Sequence, residues 1–138
     1  MRQRLVEKQG VLVMEDCYNA SPDSMTAALE TLGGYPCTGR RIAVLADMLE
    51  LGAVQEEGHR QVGALAARKA DLLLCWGGLA RLYLEGAREA GMEKAYWFKT
   101  KEELARAVAR EAAPGDLVWF KASRGMALEE VIRLCWGD

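Results

Sequence analysis

Val11-Leu12-Val13-Met14-Glu15-Asp16-Cys17-Tyr18-Asn19-Ala20-Ser21-Pro22-Asp23-Ser24-Met25 passes from an apolar run through a polar turn into a helix start. Val11 to Met14 is too short for a helix. It is continuous rather than alternating, as expected of a strand covered on both faces. Ser21 is a good N-cap and Pro22 suits the first helical position. Met25, Ala28, Leu29 and Leu32 then recur at helical spacing until Gly33 and Gly34 end the segment. A buried strand handing over to a capped helix is the repeating unit of a parallel α/β sheet.

The pattern recurs outward along the chain. Ile42 to Ala46, Leu72 to Trp76, Ala95 to Phe98 and Leu117 to Phe120 read as further buried strands. Helices are predicted over Gln55 to Lys69, Leu79 to Ala90 and Met126 to Cys135, although Gly58, Gly63 and Gly86 weaken two of them on propensity. Thr100-Lys101-Glu102-Glu103 opens another helix as a capping box, with Glu103 reaching back to the Thr100 amide and Leu104, Val108 and Ala112 forming an apolar stripe. Arg2 to Glu7 pairs with Val11 to Glu15 through a tight turn at Gln9-Gly10. The order predicts an α/β fold in one domain over residues 1–138. It is a three-layer αβα Rossmann-like sandwich with right-handed crossovers, a mostly parallel sheet and an antiparallel N-terminal edge strand.

Composition narrows the function. The 138 residues are 51% apolar and 28% charged with a formal net charge of -2, so no basic face points to nucleic acid. No apolar stretch approaches the length of a membrane span, and Met1 to Gln9 is too charged for a signal peptide. Cys17, Cys37, Cys75 and Cys135 show no C-x-x-C spacing, and three of them adjoin apolar runs. They read as reduced thiols of a cytoplasmic protein rather than as metal ligands or disulfides. Trp76, Trp97, Trp119 and Trp136 lie within or beside core runs and read as core or interface.

In open parallel sheets ligands bind beyond the carboxyl ends of the strands. Asp16 to Ser24, Asp47 to Gly52, Gly77-Gly78 and Lys121 to Gly125 each follow a strand, which places the candidate chemistry along one edge. In the first cluster Tyr18 can stack on a flat ring, Asn19 both donates and accepts, and backbone amides at the helix start can hold an anion. Ser21 and Pro22 are equally explained as helix starters, and Asp16 as the close of a turn. Lys121, Ser123 and Arg124 bring two cations and a hydroxyl to the last strand end, suited to a carboxylate or phosphate or simply solvated. Asp47 and Glu50 allow magnesium, or a loop folded back on the core. The lone histidine, His59, reads as a packed or hydrogen-bonded helical residue. The chain has no G-x-x-x-x-G-K-[ST] loop, no G-x-G-x-x-G turn and no G-x-S-x-G elbow. It is poorly equipped as an independent enzyme.

Four segments, in order, resemble successive signatures of the C-terminal domain of the Mur ligases that add D-alanyl-D-alanine to the cell-wall precursor. They are Asp16-x-Tyr18-Asn19-Ala20-Ser21-Pro22-Asp23-Ser24-Met25, Ala46-Asp47-Met48-Leu49-Glu50-Leu51-Gly52, His59-x-x-Val62-Gly63 and Lys121-Ala122-Ser123-Arg124-Gly125-Met126. Ser21 stands where the family form has Asn, and Ala46 and Ala122 where it has Gly. Each alanine adds a methyl where glycine lets backbone approach a ligand.

The resemblance implies an ATP-dependent peptide ligase of three domains, of which this is the third. The N-terminal domain and the central ATPase domain, with its phosphate loop and Mg2+ ligands, lie outside the chain. It implies ATP and Mg2+ for the full-length enzyme, with neither bound firmly by this domain alone and no metal site in it. It implies the central ATPase domain as partner, and UDP-N-acetylmuramoyl-tripeptide and D-alanyl-D-alanine as substrates. Arg2, Asp16, Tyr18, Asn19 and Pro22 then fall on the nucleotide side, and Lys121, Ser123 and Arg124 on the dipeptide side. Asp47, Glu50 and His59 take supporting places. A stand-alone nucleotide- or phosphosugar-binding module, a structural domain without activity, and the equivalent domain of another Mur ligase or of folylpolyglutamate synthase are the competing readings.

Overall fold

A computed structural model describes residues 3–137. Arg2, assigned above to the nucleotide side, lies outside the described residues. Six strands form one sheet in the order β1-β2-β6-β3-β4-β5. β1 (Arg4–Lys8) pairs antiparallel with β2 (Val11–Asp16), through a turn in which Gln9 and Gly10 both take positive φ, 54° and 86°. That is the backbone a tight hairpin requires. β3 (Arg41–Ala46), β4 (Leu72–Trp76), β5 (Ala95–Phe98) and β6 (Leu117–Lys121) complete a run parallel with β2.

Helices cover both faces, as the continuous apolar strands require. Ala43, Leu45, Leu73, Cys75 and Trp119 point to α1 (Pro22–Gly34), α2 (Gln55–Lys69) and α3 (Arg81–Glu89). Ile42, Val44, Leu72, Leu74 and Phe120 point to α4 (Lys101–Glu111) and α5 (Glu129–Trp136). Ser21 caps α1, accepting from the Ser24 amide while Ser24 Oγ accepts from the Ser21 amide. Thr100 caps α4 as expected, but Glu103 reaches the Lys99 amide at 3.0 Å, one residue before the expected Thr100.

Two expectations need correction. The last helix starts at Glu129 rather than Met126. Arg124–Met126 forms a 3-10 turn and Ala127 is left-handed at φ 50°, because a tight turn bonded back to Ser123 must finish before the helix can set out. Gly63 and Gly86 are not weak points but the crossing of α2 and α3. A Cβ on Gly63 would lie 2.0 Å from the Tyr83 carbonyl oxygen, and one on Gly86 would lie 2.0 Å from that of Arg60. Only hydrogen in place of a side chain lets the two backbones meet there.

Candidate functional site

Strand order brings the four polar clusters together. β6 lies between β2 and β3, yet its outgoing segment turns to the face of α5 while theirs turn to the face of α1 and α2. Neighbouring connections that part to opposite faces leave a crevice at the carboxyl ends, which is where open α/β sheets bind ligands. The clusters following β2, β3 and β6 surround it.

The floor of the crevice is a buried ion pair. Lys121 Nζ lies 3.1 Å from Asp16 Oδ2, and both side chains are almost wholly enclosed. The Trp119 indole N–H donates to the same oxygen at 3.1 Å, and Lys121 also donates to the Asn19 carbonyl at 2.9 Å. Two charges withdrawn from water persist when paired and further hydrogen-bonded in this way. Their effect is to fix the backbone that presents Tyr18 and Asn19. Its place within a core run marks Trp119 as core or interface, not as a partner of this ion pair. The usable signal was that a buried tryptophan needs a partner for its N–H.

The walls are held by residues the sequence offered as possible ligands. Ser123 Oγ accepts from the Leu49 amide at 2.8 Å, and the Ser123 amide donates to the Asp47 carbonyl at 3.1 Å. Asp47 Oδ1 accepts from the Leu79 and Ala80 amides at 3.0 and 2.7 Å, and so caps the turn that leads into α3. Gly77 makes room for that carboxylate, since a Cβ there would lie 2.2 Å from Asp47 Oδ1. His59 is fully buried. Its Nε2 accepts from the Met48 amide at 3.0 Å, so Nδ1 carries the proton and donates to the Gln55 carbonyl at 2.6 Å. Burial holds its pKa below the ordinary histidine value, which keeps it neutral. Glu50 is exposed in a left-handed turn at φ 64°, away from these bonds. Ala46 and Ala122 turn their methyls into the core, so neither departure from glycine obstructs the crevice.

Tyr18 (52% exposed), Asn19 and Arg124 face solvent, as do the carboxylates Asp23 and Glu50 of the same clusters, with Pro22 half-buried. The Arg124 guanidinium lies 5.1 Å from the Tyr18 ring centroid, within cation–π range. An exposed ring, a guanidinium and an amide suit a flat or anionic ligand. They do not suit Mg2+, because the Asp16 and Asp47 carboxylates are already engaged by Lys121, Trp119 and the Leu79 and Ala80 amides. Among the described residues no three His, Cys, Asp or Glu side chains gather as a metal cluster.

A mostly parallel α/β sandwich with polar clusters at the carboxyl edge of its sheet is the architecture of a ligand-binding α/β domain. The chain belongs to the Mur ligase family: residues 1–124 match the Mur ligase, glutamate ligase domain. It is 40% identical to the UDP-N-acetylmuramoyl-tripeptide--D-alanyl-D-alanine ligase of Bacillus subtilis, over 96% of this chain and 30% of that protein. Its fold is similar to a crystal structure of the MurF ligase from Thermotoga maritima in complex with ADP, at a TM-score of 0.80 and 29% identity. That match covers 95% of this chain and 29% of the other. MurF from Acinetobacter baumannii aligns at a TM-score of 0.83 and 26% identity, over 96% of this chain and 29% of the other. The chain thus spans about 30% of the length of the curated relatives it matches.

Proposed function

We propose that residues 1–138 act as the C-terminal domain of an ATP-dependent ligase that joins D-alanyl-D-alanine to UDP-N-acetylmuramoyl-tripeptide in the cytoplasm. In that reaction ATP supplies the phosphoryl group that activates the precursor carboxylate. This chain's part is to position and enclose. Tyr18 and Asn19 offer a stacking face and an amide to the nucleotide bound by a central ATPase domain, with Arg2 and Pro22 on the same side. Arg124 offers a cation to the free carboxylate of the dipeptide. Asp16, Lys121, Ser123, Asp47 and His59 hold the loops carrying these groups. Magnesium chemistry is assigned no residue of this chain.

The carrying observation is that Tyr18, Asn19 and Arg124 are exposed at the strand ends, while Asp16, Lys121, Asp47 and Ser123 are engaged by one another or by backbone groups. The test is steady-state kinetics on a full-length ligase containing this domain. Tyr18→Ala and Asn19→Ala are expected to raise the KM for ATP, and Arg124→Ala the KM for the dipeptide. Unchanged KM and kcat in all three variants would remove the crevice from the reaction. The isolated chain is expected neither to hydrolyse ATP nor to ligate the dipeptide.

A further inference from the structure

A second recess lies at the opposite end of the sheet. α4 is the helix that covers β4 and β5 on its face, and β5 is a four-residue edge strand. Between them opens a cavity of about 410 Å3, within the size range of small-molecule pockets. The apolar lining of its floor is Leu72 and Leu74 of β4, which keep 2% and 1% of their surface exposed, and the half-buried Phe98 of β5. Tyr96, opposite Leu74 in the sheet, keeps 46% of its surface exposed.

The mouth is cationic. Arg40 is held rigidly at the end of α4, donating to the Glu111 carbonyl at 2.6 Å and to Glu111 Oε1 at 3.4 Å. Lys94 has no carboxylate within ion-pair distance among the described residues, and the nearest to Arg110 is its neighbour Glu111 at 3.7 Å. Arg40 also lies 3.8 Å from Asp116 Oδ2, so three cations stand against two carboxylates, and the cations left over are Lys94 and the outer Arg110. The recess is separated from Tyr18 and Arg124 by the length of the strands and by two to three strand spacings across the sheet, each about 4.8 Å. β1 also enters at the other edge, with Arg4 opposite Glu15.

We infer that this recess is a second binding site, for a small organic anion with a flat apolar body. The ring stacks on Tyr96 above Leu72 and Leu74, and the anionic group meets Lys94 and Arg110 at the mouth, with Arg40 as a fixed wall. An apolar molecule without charge gains the floor but not the mouth, and inorganic phosphate gains the mouth but not the floor. Both parts are needed.

The test is titration of the 138-residue chain with naphthoate, naphthyl phosphate, neutral naphthamide and inorganic phosphate, followed by residue-resolved NMR shifts. Naphthoate or naphthyl phosphate is expected to saturate signals of Leu72, Tyr96 and Phe98, and the tighter of the two identifies the preferred anion. Naphthamide and inorganic phosphate are expected to bind on the order of tenfold more weakly or worse. A Lys94→Gln, Arg110→Gln double variant should weaken the aryl anion by about tenfold, and Tyr96→Ala by a similar factor. All three side chains are surface groups, so the fold, checked by the dispersion of the core methyl signals, is retained. Equal binding of naphthamide would reduce the recess to an apolar patch. Shifts confined to Tyr18 and Arg124, or no saturation by either anion, would leave it a solvated edge and overturn the inference.

Discussion

Arg124 and Tyr18, the two exposed side chains assigned to different ligands, touch one another: the guanidinium carbon lies 5.1 Å from the ring centroid. Their contributions therefore couple. An exposed cation–π contact is worth about 0.5–1 kcal/mol. In a full-length ligase, Tyr18→Ala and Arg124→Ala should be non-additive by that amount in kcat/KM, because the second change finds the contact already gone. Arg124→Lys should restore part of the effect on ATP, by keeping a cation near the ring, but little of the effect on the dipeptide, where the planar fork is lost. A double-mutant cycle with additive effects would show that the contact does not matter in the working enzyme.

Asp16 and Lys121 should behave as a structural pair. Asp16→Asn leaves a buried ammonium without its counter-ion, at a cost of about 3–5 kcal/mol in urea denaturation. Replacing both, as Asp16→Asn with Lys121→Met, should cost less than Asp16→Asn alone, since the uncompensated charge is gone. If the double variant were the less stable of the two, the pair would be acting through something other than mutual neutralisation.

The crossing of α2 and α3 gives a third expectation. Gly63→Ala or Gly86→Ala forces a methyl into a carbonyl oxygen, and overpacking of this kind costs about 1–3 kcal/mol or more. Gly34→Ala, at the exposed end of α1 with nothing within 4 Å of the new methyl, should instead raise the melting midpoint slightly. Equal losses at Gly34 and Gly63 would mean that helix propensity, not the close approach, governs these positions.

These glycines mark where sequence reading stops. The strands were legible because runs such as Leu72 to Trp76 are apolar on both faces, and that pattern is local. α2 was legible from Gln55 to Lys69 because its apolar residues, Val62, Leu65 and Ala66, fall on one face at helical spacing, which is also a local pattern. What Gly63 touches depends on where Tyr83 arrives, and no periodicity encodes that. The crevice divides likewise. Its location followed from the clusters at strand ends, but nothing local distinguishes Lys121, enclosed beside Asp16, from Arg124, exposed two residues after Ala122. Both look like cations after a strand. Only the packing of Trp119 and Asn19 around one of them separates support from contact.

The cysteines should differ in reactivity by burial. Enclosure pushes the Cys17 thiol up to about 12 and the Cys135 thiol up to about 11, and raises Cys75 further still. Since the thiolate is the reactive form, these three should alkylate slowly with iodoacetamide near pH 8, each at rates that jump in urea. Cys37 lies half-buried in the loop before β3 and should react first. Peptide mapping by mass spectrometry decides the order, and early labelling of Cys75 in the native chain would mean that the core opens more readily than its packing suggests.

His59 should make the domain acid-sensitive. Its neutral ring accepts the Met48 amide through Nε2, and a proton there would break that bond inside the core. The folded pKa is lowered while the unfolded chain keeps a value near 6.5, so below that pH the unfolded state takes up a proton that the folded state refuses. Stability is therefore full above the unfolded value, falls as pH drops through it, and levels off once the folded ring is protonated too. His59→Gln should cost about 1–3 kcal/mol at neutral pH, because the buried Met48 amide loses a well-placed acceptor. It should also remove the slope between roughly pH 7 and pH 5, a window above the range where ordinary carboxylates titrate. Urea midpoints measured across that window for both proteins isolate the histidine. Parallel curves for the wild type and the variant would show that the proton is taken up elsewhere.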